Sequence, residues 1–521
     1  MPVIYIINPK ESSPFYLSSE VLAAAGIGNF PVLADLTTPT LAAMVPQNWD
    51  VTICDGRFED VNLDFPADVI ALTGKFSQRE DMKWLAGEFR RRGKLVMAGG
   101  PHVSLWPEDL KPHVDVLVIG EVEDIAEELF ADIARGMPKT EYRGGKPDLK
   151  NSPLPRWDIY PFRPYMAGQV QTSRGCPFEC EFCDVIQYLG RKQRWKEPAQ
   201  VIAELDQLYE LGCRDVLLAD DNFTVVRDRA RKLLEALRAW NSHRPKGRMR
   251  FITQLSIDIT RDMDLLELAA QAGLDRCFIG VETPNEESLR EARKRQNTRV
   301  DLTVQLERIA SAGILPLSSL IVGFDSDGPD IFTRQAGFIE SIPSPIILLG
   351  MLVAPHGTPL YDRLKAENRL VESNYTGEGN LLSTNVVPKT MSQHELASGF
   401  RWLLNHVFDP DKWFARLSRF AELSPPNSNR RTVSIFGVVE ARLARDLANR
   451  SGRDQLVVER VSALAKTRPD LLAQIGYALV VYCQTRWLLD RLGLWDGGTD
   501  SSGRCAHGEQ QSFLCNVSAG Q

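Results

Sequence analysis

The chain has 521 residues and a formal net charge of -7 at pH 7, and 25% of its residues are charged. This length is too great for one ordinary hydrophobic core and predicts about three domains. The acidic balance argues against a nucleic-acid scaffold, because such a protein presents a strongly basic face. We therefore expect a small-molecule substrate and no nucleic-acid partner.

The N-terminus and the cysteines predict a cytoplasmic protein. Met1 to Ile7 lack the basic region and the small-residue cleavage site of a signal peptide. Several cysteines outside any paired pattern indicate a reducing compartment. No apolar run reaches the roughly 20 residues that span a bilayer. Peripheral contact at the inner face of the membrane, through the apolar stretch Leu471 to Leu494, is kept as a second interpretation.

Short β-branched runs alternate with helix-like stretches over residues 1–145, which predicts a doubly wound, Rossmann-like parallel sheet. The predicted strands are Val3 to Ile7, Asp50 to Cys54, Val69 to Leu72, Lys94 to Ala98 and Asp115 to Ile119. Ligands of such sheets bind at the carboxyl ends of the strands. The candidate ligand-binding residues at these ends are Arg57, Thr73, Gly99, Gly100, Gly120 and Glu121. The glycines permit close approach by a flat or bulky ligand.

Three cysteines in the sequence CPFECEFC, namely Cys176, Cys180 and Cys183, carry the most specific signal of the chain. Three thiolates can hold three irons of a [4Fe-4S] cube, whereas a cluster that only carries electrons uses four cysteine ligands. The next cysteine, Cys213, falls in a different predicted element, so one iron is left open for a chelating ligand such as S-adenosylmethionine (SAM). A structural zinc site is the alternative, but zinc prefers four ligands, often in paired CxxC units.

At this motif the sequence resembles the radical SAM superfamily, whose signature is such a triplet with an aromatic residue, here Phe182, before the last cysteine. The resemblance implies a [4Fe-4S] cluster on the three cysteines, SAM as a second cofactor, and an external one-electron reductant such as flavodoxin or ferredoxin. It also implies a partial (β/α)6 barrel, which we expect over residues 146–365. The predicted barrel strands are 168–174, 215–219, 250–257, 276–281, 315–322 and 345–354.

Catalytic groups of such barrels gather at the carboxyl ends of the strands. By resemblance, the residues there that contact SAM are Asp221, Gln254, Ser256 and Glu282. For each carboxylate taken singly, a helix N-cap or a solvated loop position is an equal alternative.

The N-terminal region, with its Gly-Gly-Pro and Gly-Glu loops directly before the barrel, is similar to the cobalamin-binding domain of cobalamin-dependent radical SAM enzymes. This implies cobalamin as a third cofactor, held by the six strand-end residues named above. One departure is the absence of the Asp-x-His-x-x-Gly cobalt-ligating motif, since the corresponding turn is Asp55-Gly56-Arg57-Phe58-Glu59. Arg57 or a neighbour would then face the lower side of cobalt. A Rossmann-like domain that binds another ligand, or none, is the alternative.

Two further motifs, at Ile321 to Asp327 and Ala354 to Leu364, resemble signatures of a subgroup that includes the hopanoid C-2 methylases. This subgroup carries a helical C-terminal extension, which we expect over residues 366–495, followed by a disordered tail over 496–521. Aromatic and apolar residues from Trp402 to Phe420 recur at helical spacing, which favours plain helical core.

The resemblance implies a cobalamin-dependent radical SAM C-methyltransferase that acts on an unactivated carbon, with a hopanoid or another polycyclic isoprenoid as the leading substrate. One alternative is a cyclase or rearrangement enzyme of tetrapyrrole or natural-product biosynthesis that transfers no methyl group. Another is a radical SAM enzyme that has kept the N-terminal domain without cobalamin.

Overall fold

A computed structural model describes residues 1–11, 19–29, 31–163, 166–371, 383–426 and 437–498 of the chain. The predicted tail lies, from residue 499 onward, outside the described residues. Two six-stranded parallel sheets dominate the described part, and a set of long helices follows them. The predicted fold class is therefore confirmed, whereas the domain boundaries at 145, 365 and 495 stay a prediction.

The N-terminal sheet has the doubly wound topology that the sequence predicts. In spatial order its strands are Asp50–Asp55, Val3–Asn8, Val69–Thr73, Leu95–Gly99, Val116–Ile119 and Glu141–Arg143. All neighbouring strands run parallel, and the last of them was not predicted. Its helices are Ser19–Ala24, Thr37–Ala42, Arg79–Arg91, Pro101–Leu105, Pro107–Leu110 and Ala126–Ala134. The strand order reverses beside Val3–Asn8, which opens a crevice at the carboxyl edge of the sheet.

Both faces of this sheet are buried, which explains the nearly continuous apolar strands. Ile4 and Ile6 belong to the main core, which also contains the barrel interior. Tyr5 and Ile7 alternate with them and belong to a second core beneath the helix Arg79–Arg91. One face of the N-terminal sheet is therefore packed into the same core as the barrel.

The second sheet is the predicted partial barrel. Its strands are Gly168–Val170, Asp215–Leu218, Arg250–Leu255, Leu274–Glu282, Leu315–Val322 and Ile346–Met351, and they are parallel and adjacent in chain order. The helices that accompany them are Val185–Tyr188, Pro198–Glu210, Arg227–Ser242, Met263–Ala272, Glu286–Glu291, Leu302–Ser311, Ile331–Ser341 and Pro359–Ala366. The predicted first strand is shorter than expected, because Ser173–Arg174 leaves the barrel and pairs with Arg194–Trp195 in an antiparallel ribbon.

The C-terminal extension is helical, as predicted. Its helices are Gln393–Val407, Pro410–Leu423, Gly437–Ala448, Gly452–Thr467 and Leu472–Arg491. The last helix lies across the amino-terminal end of the barrel, where Gln474 donates to the carbonyls of Asp275 (2.7 Å) and Gly313 (2.9 Å). Trp413 stacks on Tyr482 with ring centroids 4.2 Å apart. Phe408, Trp413 and Phe420 are buried and belong to the main core, which agrees with the interpretation of plain helical core.

Candidate active site

The three cysteines lie on one loop between the ribbon strand Ser173–Arg174 and the helix Val185–Tyr188. Cys180 is buried and the other two are half-buried, and none of the three forms a disulfide. Gly175 enters the loop with φ of +94°, and a Cβ there would lie 2.7 Å from the Lys192 carbonyl oxygen. A glycine is therefore required at the position before the first cysteine.

Burial raises the pKa of the Cys176 thiol, and it raises the pKa of Cys183 to about 12, in both cases with a further contribution from the neighbouring Cys180. These thiols are therefore protonated at neutral pH unless a bound cation favours the thiolates. Metal binding at such a site releases protons, because the ligands bind as thiolates. The chemistry of the three side chains thus fits an iron-sulfur cluster.

A buried ion pair stands beside these cysteines. Lys294 donates to the Glu282 carboxylate at 2.6 Å, and its ammonium group also interacts electrostatically with Cys180 and Cys183. Gln296 approaches the Cys180 sulfur with its amide nitrogen at 3.9 Å, while its buried amide oxygen has no partner among the described residues. A cation and an unused acceptor at the thiols fit an anionic cluster with a polar ligand on its open iron.

Two aspartates after the strand Asp215–Leu218, Asp220 and Asp221, bind the backbone at the start of the cysteine loop. Asp220 accepts the backbone N–H groups of Thr172 and Ser173, both at 2.7 Å. Asp221 accepts the N–H of Gly175 at 2.7 Å. Burial raises the pKa of Asp221 to about 7, with Asp220 as a further cause. The two aspartates connect the end of the strand Asp215–Leu218 with the start of the cysteine loop.

Of the four residues predicted to contact SAM, two line the cavity of the site and two do not. Asp221 and Gln254 line the main cavity of the site. Ser256 accepts from the Asn222 amide at 2.6 Å, and the buried oxygen of that amide has no partner within the described ranges. The Glu282 carboxylate accepts the hydrogen bond from Lys294 described above. Its backbone φ is +65°, which is uncommon for a residue other than glycine.

One cavity of about 530 Å³ lies between the carboxyl edges of the two sheets. All six residues that were predicted at the ends of the N-terminal strands line it, together with Asp220, Asp221 and Gln254 of the barrel. Gln169, Gln171, Arg174 and Lys196 also line it. These four were missed, although the charged run that follows the cysteine motif was a usable signal for Lys196.

Two glycines of the N-terminal edge are required by the packing of the chain itself. A Cβ on Gly100, at φ of +96°, would lie 2.8 Å from the Thr73 hydroxyl. A Cβ on Gly120, at φ of +83°, would lie 2.7 Å from the Gly144 carbonyl oxygen. Both positions therefore need glycine irrespective of any ligand, and the small residues leave a broad face on this side of the cavity.

Glu121 connects the N-terminal sheet to the ribbon beside the cysteine loop through ion pairs. Its carboxylate, with a side chain only 5% exposed, accepts from Arg174 at 2.7 Å and from Arg194 at 2.7 and 2.8 Å. These arginines belong to the ribbon that flanks the cysteines on both sides in the sequence. The carboxylate thus aligns the two sheets around the cavity.

Arg57 is fixed rather than free in the cavity wall. Its guanidinium donates to the buried Asp55 carboxylate at 2.9 and 2.5 Å, and the Tyr160 hydroxyl donates to the same carboxylate at 2.7 Å. Burial alone would lower the pKa of Arg57, but the bond to Asp55 raises it. Within the described part of the chain no histidine lines the cavity. Hydroxyl and amide side chains around a broad face fit the amide-bearing corrin ring of cobalamin without an imidazole ligand.

Comparison with known proteins gives matches over most of the chain. The model of the radical SAM superfamily matches residues 170–331, and a model described as a domain of unknown function matches residues 358–454. An uncharacterized methyltransferase of Synechocystis is 36% identical over 432 residues, which are 81% of this chain and 79% of the relative. The hopanoid C-2 methylase of Rhodopseudomonas palustris is 33% identical over 344 residues, 64% of each chain.

Among solved structures, the cobalamin-dependent SAM radical enzyme OxsB, with aqua-cobalamin and SAM bound, superposes with a TM-score of 0.62. It is 16% identical and covers 94% of this chain and 84% of its own, which shows a shared fold. The chain therefore belongs to the radical SAM superfamily, it shares its fold with a cobalamin-dependent radical SAM enzyme, and it is itself a radical SAM enzyme.

Proposed function

We propose that the protein is a cobalamin-dependent radical SAM C-methyltransferase that acts on an unactivated carbon. The observation that carries the proposal is a cavity that the carboxyl ends of both parallel sheets share. Arg174 and Val185, which flank the cysteine loop on either side, line the same cavity. A substrate in this space would lie between a SAM site on the barrel and a cobalamin site on the N-terminal sheet.

On the barrel side, Cys176, Cys180 and Cys183 would hold three irons of the cluster, and Asp221 and Gln254 would bind polar groups of SAM. The oxygen of Asn222, which has no partner among the described residues, would be an acceptor for the same ligand. Lys294 stays charged beside the thiolates through its bond to Glu282. When bound, the cluster and SAM would supply a hydrogen-abstracting carbon radical, and cobalamin would supply the methyl group.

On the opposite side, Thr73, Gly99, Gly100 and Gly120 would form the face that binds the corrin ring. Arg57, held by Asp55, would contact the bound cobalamin from the cavity wall. Glu121 would keep this face at a fixed distance from the cysteine loop through Arg174. These residues would orient the ligands and exclude water from the space between them.

We propose a hopanoid or another polycyclic isoprenoid as the substrate, with peripheral contact at the inner face of the membrane and flavodoxin or ferredoxin as the electron donor. The similarity to the hopanoid C-2 methylase supports the substrate class. Within the described residues no helix has the length and apolar character needed to cross a bilayer.

The test is anaerobic turnover of the reconstituted enzyme with a reductant, SAM and a hopanoid. Methyl transfer predicts one 5'-deoxyadenosine and one S-adenosylhomocysteine for each methylated product, because a second SAM would restore the methyl group on cobalt. Formation of 5'-deoxyadenosine and a changed product without S-adenosylhomocysteine would overturn the proposal and favour the cyclase or rearrangement alternative.

A further inference from the structure

We infer that Glu181 and Arg363 form a positioning pair that fixes the segment between the second and third cysteines, and with it the placement of two cluster ligands. The inference rests on the proposed function in so far as Cys180 and Cys183 bind the cluster. It assigns a role to the motifs at Ile321 to Asp327 and Ala354 to Leu364, which the proposed chemistry does not use.

Glu181 lies directly after Cys180 and is held at three points. Its carboxylate accepts a bidentate pair of hydrogen bonds from the Arg363 guanidinium, from Nε to Oε1 at 2.7 Å and from Nη2 to Oε2 at 3.1 Å. Its backbone N–H donates to the Ala292 carbonyl, and its own carbonyl accepts from the N–H of Leu360, both at 3.1 Å. Such forked contacts between arginine and a carboxylate fix orientation as well as charge.

Arg363 is itself held by the first motif. Its Nη1 donates to the Asp325 carboxylate at 2.8 Å, and Arg369 donates to the other oxygen of Asp325. The backbone N–H groups of Asp325 and Ser326 in turn donate to Glu291 at 3.0 and 3.1 Å. Burial alone would raise the pKa of Asp325, but the two arginines lower it. Asp325 therefore stays ionised at neutral pH beside the two arginines.

A small hydrophobic cluster, separate from the main core, lies beside this network. It contains Ala292, Phe324, Leu352, Ala354, Leu360, Tyr361, Leu364 and Val386. Phe182, the aromatic residue before the last cysteine, packs against it, with its ring centroid 6.3 Å from that of Phe324. Ions and apolar side chains from the two motifs thus hold both residues that separate Cys180 from Cys183.

Glu179 provides the contrast within the same loop. Its side chain is 45% exposed and pairs with Arg191, which is 56% exposed. The Glu181 side chain is 7% exposed. An exposed pair of this kind contributes little, whereas loss of the Arg363 guanidinium, whose side chain is 29% exposed, leaves the buried charge of Glu181 uncompensated. The two glutamates therefore offer matched substitutions two positions apart.

The experiment compares Arg363→Gln, Arg363→Lys, Glu181→Gln and the control Glu179→Gln in the reconstituted enzyme. The readouts are the EPR spectrum of the reduced cluster, the rate of iron loss in air, and the thermal midpoint of the protein without its cluster. We expect R363Q and E181Q to broaden the EPR signal and to lose iron on the order of tenfold faster, since a hydrogen bond to a charged group is worth that factor or more. E179Q should match the parent protein.

R363K keeps the charge but not the fork, so it should fall between R363Q and the parent while its cluster-free thermal midpoint stays near that of the parent. It tests the inference if R363Q fails to fold. The double substitution E181Q with R363Q should be no worse than R363Q alone, because R363Q already removes the contact that E181Q removes. Parent-like EPR and iron retention in R363Q, or changes as large in E179Q, would overturn the inference. A parent protein that assembles no cluster would instead refute the proposed function.

Discussion

Asp221 accepts the backbone N–H of Gly175, the residue before the first cysteine, at 2.7 Å although the two are 46 positions apart. Burial raises the pKa of this carboxyl group to about 7 from 3.8. The contact joins the end of a barrel strand to the cysteine loop.

This relationship predicts a pH dependence of stability. Between pH values of about 4 and 7 the folded chain holds a proton on Asp221 that the unfolded chain has lost, so the free energy of unfolding should fall as the pH rises through this window. Asp221→Asn keeps an oxygen acceptor for Gly175 and removes the titration. Urea unfolding of the cluster-free protein at both ends of the window should show a smaller pH effect in D221N, and equal effects in both proteins would contradict the assignment.

Cys180→Ala should abolish the cluster and all SAM cleavage, because only two thiolates would remain. Cys213→Ala is the matched control, since the Cys213 sulfur lies in the core and accepts the N–H of Gly168 at 3.2 Å. C213A should cost about 1 kcal/mol of stability and keep its iron. Iron content and 5'-deoxyadenosine formation distinguish the two variants, and SAM cleavage by C180A would refute the cluster assignment.

Arg57→Ala should change the absorption spectrum of bound cobalamin or reduce the amount bound, because the guanidinium that Asp55 holds in the cavity wall is lost. Arg163→Ala is a suitable control: Arg163 is a half-exposed cation that pairs with the nearby Glu59 at 3.0 Å. The measurement is the spectrum and cobalamin content of each purified variant. Parent-like values in R57A would remove this residue from the proposed site.

Asp215→Asn should destabilise the fold without affecting the cluster. Asp215 is buried at the amino-terminal end of the barrel, where it pairs with Arg250 and Arg276. Burial alone would raise the pKa of Asp215, but the two arginines lower it. Loss of the carboxylate leaves Arg250 without this buried partner and Arg276 with Asp275 alone, and it should reduce the free energy of unfolding by about 3 kcal/mol. Denaturant unfolding tests this, and loss of iron from D215N at full stability would contradict it.

The cysteine triplet, the residues at the strand ends and both sheets, apart from the strand Glu141–Arg143, were predictable from the sequence, because spacing and local periodicity determine them. The partners of those residues were not. Glu121 meets Arg174 and Arg194 only once the two sheets pack together, and Arg363 meets Glu181 across 182 positions. The apolar helix Leu472–Arg491 has a sequence that suits a surface or a core, and only the packed structure places it against the end of the barrel.

The most direct test of the account is the cobalamin-to-protein ratio, together with iron and sulfide, in protein purified anaerobically from cells supplied with cobalamin. The account predicts near-stoichiometric cobalamin beside four irons in each chain, because one cavity joins the two proposed sites. A complete cluster without cobalamin would contradict it and would leave a radical SAM enzyme whose N-terminal domain serves another ligand.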